Sequence, residues 1–138
     1  MCLERSQTVS HPLVLQLRFT RSEFQRALAG LEDSEARRRF LPMNCISWNV
    51  GHLTWQEQRY CVTFAQGKLL LPEIDEQFAY GAPATTPALA DMQKAWQAVT
   101  QAADTWLERA TTKELLNTYT HPTAGWTTSF GNLLQRVI

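Results

Sequence analysis

The sequence predicts an all-α protein: a four-helix bundle with a long crossover connection and a last helix that is incomplete at Ile138. Three observations lead there. Apolar residues recur at steps of 3 and 4 over three long windows, the spacing that puts side chains on one face of an α-helix. No window alternates apolar and polar residues as a half-buried strand does. Between the second and third windows, residues 68–86 hold Pro72, Gly81 and Pro83 without helical period, and a connection of that length joins elements at a distance.

Helix one is expected from His11 to Leu31, on Leu13, Leu17, Phe24, Leu28 and Leu31, with Ser10 as its cap, Pro12 in its first turn and Gly30 at its end. Ser34 to Phe40 suits a short further turn. Helix two is expected from Asn44, as cap, to Gln66, ending at Gly67. Its main stripe is Ile46, Val50, Leu53, Glu57, Tyr60 and Phe64, and Trp48 and Trp55 lie on the opposite side. A helix with apolar groups on two faces is normally covered on both. Helix three starts at Thr86 and Pro87 and carries Leu89, Met92, Trp96, Val99, Ala103, Trp106 and Ala110, a core-facing bundle stripe. A short helix from Thr112 to near Tyr119 follows, then a turn at Pro122 and Gly125. Helix four opens after Thr127 or Thr128 on Phe130, Leu133, Leu134 and Val137. A helix matching the others would need about ten residues more, since so short a helix is marginal alone.

Composition bounds the function classes. The 138 residues make one domain, 1–138, large enough to bury a core without disulfides or metal. Thirteen basic residues balance thirteen acidic ones, whereas a chain that neutralises several phosphates carries a basic excess. The one basic cluster, Arg37, Arg38 and Arg39, sits beside Glu32, Asp33 and Glu35 and reads as a solvated turn. Nucleic acid is therefore not an expected partner. No apolar run reaches bilayer length, so no membrane is expected. Cys45 and Cys61 fall on one predicted helix, roughly 24 Å apart at about 1.5 Å per residue, too far for a disulfide. With Cys2 in the N-terminal stretch and no apolar leader there, the sequence predicts a reduced, cytoplasmic protein.

Phosphate loops, CxxC, HExxH and GxSxG are all absent from the sequence. The histidines remain. His52 sits between the main stripe of helix two and its tryptophan side, one turn from Trp48 and Trp55. A half-sheltered imidazole there suits a metal ligand or a proton-transfer group, or a core-edge histidine bonded to a neighbour. His11 and His121 have no helical spacing to it. Glu57 interrupts an apolar stripe, and a buried lone carboxylate is costly. An ion pair with Arg136 of helix four is expected for it, Arg59 being less suitable, with a catalytic acid or base as the other reading. Trp48, Trp55 and Glu57 border the expected pocket.

The segment Asn44–Phe64, NCISWNVGHLTWQEQRYCVTF, carries Gly51, His52, Leu53, Trp55, Glu57, Arg59 and Tyr60 in the pattern GHLxWxExRY. It resembles helix two of the DinB/YfiT-like superfamily, in its DinB-like branch. Ser129–Ile138, SFGNLLQRVI, resembles the opening of that family's fourth helix, and the long connection and the Thr-Pro start of helix three agree. The resemblance implies up-up-down-down connectivity, often a homodimer, and a divalent metal, commonly nickel or zinc, on three histidines. The first maps onto His52. The other two form an HxxxH pair on helix four, to which no residue up to Ile138 corresponds. Members of the family include thiol transferases using low-molecular-weight thiols and a maleylpyruvate isomerase. The implied function is a metal-dependent thiol transferase or hydrolase acting on a small molecule. The rival is a non-catalytic bundle that dimerises or binds a small ligand.

Overall fold

Pro12 supplies a helical φ where no donor is needed, and α1 runs Pro12–Leu28 from it. The structure is a computed structural model describing residues 9–138; the expectation for Cys2 lies outside them. His11, not Ser10, caps α1, its Nδ1 accepting from the Leu13 amide at 3.2 Å. The Ser10 hydroxyl accepts instead from Arg18. Gly30, at φ 76°, turns the chain out of the helix. The next turn, α2 (Asp33–Ala36), is shorter than expected and closes on a capping box between Glu32 and Glu35.

Helix two of the sequence is α3 (Ile46–Glu57), continued by a π-helical stretch over Gln58–Phe64. The expected stripe is rotated. Ile46 and Leu53 are exposed at 43% and 42%, whereas Trp48 and Trp55 are buried at 5% and 7%. The inward face is Ser47, Val50, Gly51, Thr54 and Glu57 with the tryptophans alongside. Small residues allow close approach, and α3 packs against both α4 and α5. Gly51 is the tightest point: a Cβ there would lie 2.7 Å from the Phe78 ring and 2.8 Å from Met92 Sδ.

The connection after α3 is not structureless. It holds α4 (Pro72–Phe78), which buries Ile74 and Phe78 and is too short to show a period in sequence. Buried Gln58 secures its approach. The amide nitrogen of Gln58 donates to the Leu71 carbonyl at 3.0 Å and to Asp75 Oδ1 at 2.8 Å, and its oxygen accepts from the Leu71 amide at 2.8 Å.

Helix three is α5 (Leu89–Leu107), with Leu89, Met92, Trp96, Val99 and Ala103 buried as expected. It starts later than Thr86 because its cap comes from elsewhere: Asp33 Oδ1 accepts from the Leu89 amide at 2.9 Å, a carboxylate placed at the positive end of the helix dipole. After α6 (Thr112–Leu116), the Thr-rich segments that were expected to be helix end and turn form a hairpin of β1 (Thr118–Thr120) and β2 (Thr127–Ser129). Their β-branched residues suit strands, and Gly125, at φ 72°, provides the turn. Then α7 (Phe130–Gln135) begins under a Ser129 cap, whose hydroxyl accepts from Asn132.

The chain is thus predominantly helical, with this hairpin the strand pair among the described residues. Two apolar clusters make the core. One joins α1, the π stretch, α5, α6 and α7 through Leu17, Cys61, Val99 and Leu134. The other joins α2, α3, α4 and α5 through Trp48, Ile74, Phe78 and Trp96. No described helix is long and apolar enough to cross a membrane.

Gly51→Ala separates two effects of opposite sign. Helix propensity alone would stabilise by about 1 kcal/mol, while overpacking costs about 1–3 kcal/mol. With the Phe78 ring and Met92 Sδ both inside contact distance, overpacking is expected to win. Urea unfolding should show a lowered midpoint; a raised midpoint would contradict the packing at α3, α4 and α5.

Candidate functional site

One flank of α3 carries a column of flat groups. The His52 ring stacks on Trp48 at 5.2 Å with planes 13° apart, and lies 5.2 Å from Trp55 on its other side. The Arg59 guanidinium continues the column, 5.2 Å above the Trp55 ring. The spacing 48, 52, 55, 59 is helical, so one face of α3 presents all four side chains. Trp48 is anchored at its other end, its indole N–H donating to the Pro83 carbonyl at 3.0 Å.

His52 Nδ1 lies 2.7 Å from the Phe78 carbonyl oxygen. A carbonyl can only accept, so Nδ1 donates, and of the two neutral tautomers this contact selects the one with its lone pair on Nε2. Gly51 and His52 therefore act together on α4: the glycine admits the Phe78 ring and the histidine takes the Phe78 carbonyl.

Glu57 occupies a different face. Its carboxylate is bound through two nitrogens of Arg21, with Arg21 Nε at 2.9 Å from Oε1. This corrects the expected pair with Arg136, whose guanidinium sits 6.0 Å from the Tyr60 ring centre instead. Arg21 Nη1 also donates to Asp104 Oδ1 at 2.6 Å, and Arg21 reaches the Thr100 carbonyl at 3.4 Å. Arg21 and Glu57 side chains are 11% and 5% exposed. Burial pushes the Glu57 carboxyl above the ordinary carboxylate range, while Arg21 pulls it back. Arg21 was missed in the sequence although its signal was present: the steps from Leu17 to Phe24 skip one position of the stripe, and Arg21 fills it.

The ion pair sits in a cavity of about 140 Å³ between α1, α3, α5 and the segment after α7, lined by Leu17, Phe24, Leu53 and Ile138 among others. Of the four residues singled out in the sequence, Glu57 lines this cavity, whereas His52, Trp48 and Trp55 form the column outside it. His11 and His121 stand apart from both. His11 caps α1 and contacts the Thr112 hydroxyl at 3.1 Å, and His121 Nδ1 accepts the amides of Thr123 and Ala124 inside the hairpin turn. Among the described residues no three of His, Cys, Asp and Glu come together as a metal site.

The thiols are sheltered. Cys45 is buried with its sulfur 3.2 Å from the Ser47 hydroxyl. Cys61 is fully covered, and burial, with the Glu57 charge nearby, raises its pKa far above the ordinary thiol value. Cys61 therefore offers no thiolate nucleophile, and Cys45 is covered by its neighbours, 2% exposed.

The sequence model of the DinB superfamily matches residues 16–138, and the chain belongs to that family. No curated protein matches it.

A Cys2→Ser variant tests the burial of the two thiols. An aromatic disulfide reagent at pH 8 should find no fast-reacting thiol in the native chain and two after denaturation. Rapid native reaction of Cys45 or Cys61 would contradict the packing.

Proposed function

We propose that this DinB-superfamily chain is the helical body of a divalent-metal-dependent transferase or hydrolase. In this reading its helices follow the up-up-down-down order, it works in the reducing cytoplasm, and His52 is the first imidazole ligand for nickel or zinc. The substrate class is a small molecule, with a low-molecular-weight thiol as co-substrate. One observation supports it above the rest. The Nδ1–H bond from His52 to the Phe78 carbonyl, with tryptophans on both ring faces, fixes the tautomer whose Nε2 is free. Metal-binding histidines are held by such a bond to a carbonyl or carboxylate.

The described residues do not complete a site. They supply one oriented imidazole, while three protein ligands and an open position are the usual catalytic minimum. His11 and His121 are engaged in helix and turn caps, and Glu57 is held by Arg21. One imidazole alone is expected to hold such an ion weakly.

A second reading, a non-catalytic bundle that forms a homodimer or binds a small ligand, is favoured by a different observation. Leu15 and Phe19 stand on one face of α1, exposed at 48% and 60%, and His52 already has a complete structural task at α4.

Histidine ring NMR during zinc or nickel titration distinguishes the two. The metal reading expects a Nδ1-protonated His52 whose ring is the first to respond, and at least about a tenfold loss of affinity in His52→Phe. A response confined to His11 or His121, with His52 silent, would remove it and leave the second reading.

A further inference from the structure

We propose that the cavity between the π stretch of α3, the hairpin and the end of α7 binds a small organic anion: a carboxylate or phosphate carried on a flat, apolar body. The cavity measures about 440 Å³ and is lined by Arg59, Tyr60, Trp126, Thr127, Thr128 and Arg136. That volume lies within the range of small-molecule sites, about 300–1,000 Å³. Two guanidinium groups line it and no carboxylate does.

The two arginines share a cavity and have their donors unused; Arg38, over the Phe40 ring at 4.9 Å, also lacks an oxygen partner among the described residues but stands outside the cavity. Elsewhere Arg18, Arg21, Arg26, Arg37, Arg39 and Arg109 each donate to an oxygen of the chain. Among the described residues, the side chains of Arg59 and Arg136 form no hydrogen bond and no ion pair, and both meet aromatic rings. Arg59 Cζ lies 5.2 Å from the Trp55 ring centre, 5.3 Å from Phe64 and 5.7 Å from Tyr60. Arg136 Cζ lies 6.0 Å from the same Tyr60 ring. Cation–π contact holds a guanidinium in place without using its N–H donors. The donors therefore stay available for the paired N–H···O geometry that suits carboxylate and phosphate.

The π geometry contributes directly. In an α-helix, residues five apart point well away from each other, whereas the wider π turn brings them into line. Arg59 and Phe64 are five apart and in contact. On the other wall, Thr128 Oγ1 accepts from Asn132, which leaves its hydroxyl hydrogen to donate. Trp126, 38% exposed, offers a ring against which a flat body can stack, and its own ring is fixed by His121 at 5.1 Å and Tyr119 at 5.8 Å. The proposal does not rest on an ion at His52.

Calorimetric titration of the full chain in low salt tests it with four probes: phenyl phosphate, benzoate, inorganic phosphate and phenol. Phenyl phosphate or benzoate should bind, more tightly than inorganic phosphate and phenol, and the tighter of the two identifies the head group. Arg136→Gln should weaken binding at least about tenfold, as should Arg59→Gln. Arg38→Gln, which removes an arginine outside the cavity, should not. Arg136 is exposed on the last turn, so its variant reports on binding even if Arg59→Gln unfolds. Absence of binding by both aryl anions would overturn the proposal, as would equal binding of phenol or unchanged affinity in Arg136→Gln.

Discussion

A buried guanidinium organises the long helices. Arg21 of α1 lies between Glu57 of α3 and Asp104 of α5, with the Thr100 carbonyl accepting a further N–H. A charge so largely withdrawn from water is tolerated when its partners are fixed and most of its donors are used. One side chain thus sets the rotation of three helices about their axes. It also explains why a carboxylate can occupy the inward face of α3. Such a pair contributes little net stability compared with apolar packing, yet it is expensive to break on one side only. Its effect is on arrangement: it defines the floor of the cavity to which Leu53 and the last residues contribute.

The motif on α3 acquires a physical meaning residue by residue. Gly51 leaves space for the Phe78 ring. His52 binds the carbonyl of the same residue. Trp55 supports the histidine ring on one side, opposite Trp48, and itself carries the Arg59 guanidinium; Glu57 receives Arg21, and Tyr60 meets the Arg59 and Arg136 guanidiniums. Most of these contacts hold α1, α4 and the end of the chain to one helix. The imidazole is consequently oriented by a structural demand, and that same orientation presents Nε2 for chemistry. The motif on α3 therefore has a folding role at each of these positions.

Sequence reasoning reached the helical class, α1, the stripe of α5 and the family from strong periodicity and one motif. It did not reach the rotation of α3. Ile46 and Leu53 are more apolar than Ser47, Gly51 and Thr54, but close helix packing selects small residues over greasy ones, and the two leave the core for that reason. The π stretch shifts the phase again after Glu57. Short α4 and the hairpin offered too few residues for a period. The cap on α5 comes from Asp33, distant in sequence, and no local signal could announce it. For the site, the importance of His52 and Glu57 was legible, but the partner of Glu57 was not. Arg136 was favoured as a helix-four cation, whereas a gap in the α1 stripe marked Arg21.

The central claim is that Arg21 and Glu57 act as one buried unit joining α1 to α3. A double-mutant cycle in urea unfolding measures it most directly, with Arg21→Met, Glu57→Leu and the pair. Arg21→Met strands the buried Glu57 carboxylate and should cost about 3–5 kcal/mol, whereas Glu57→Leu leaves Arg21 its Asp104 partner and should cost less. The double variant removes both charges and should be more stable than the sum of the two losses by at least about 2 kcal/mol. Losses that simply add would show that the two side chains do not depend on each other, and the account of how the helices are held would be wrong.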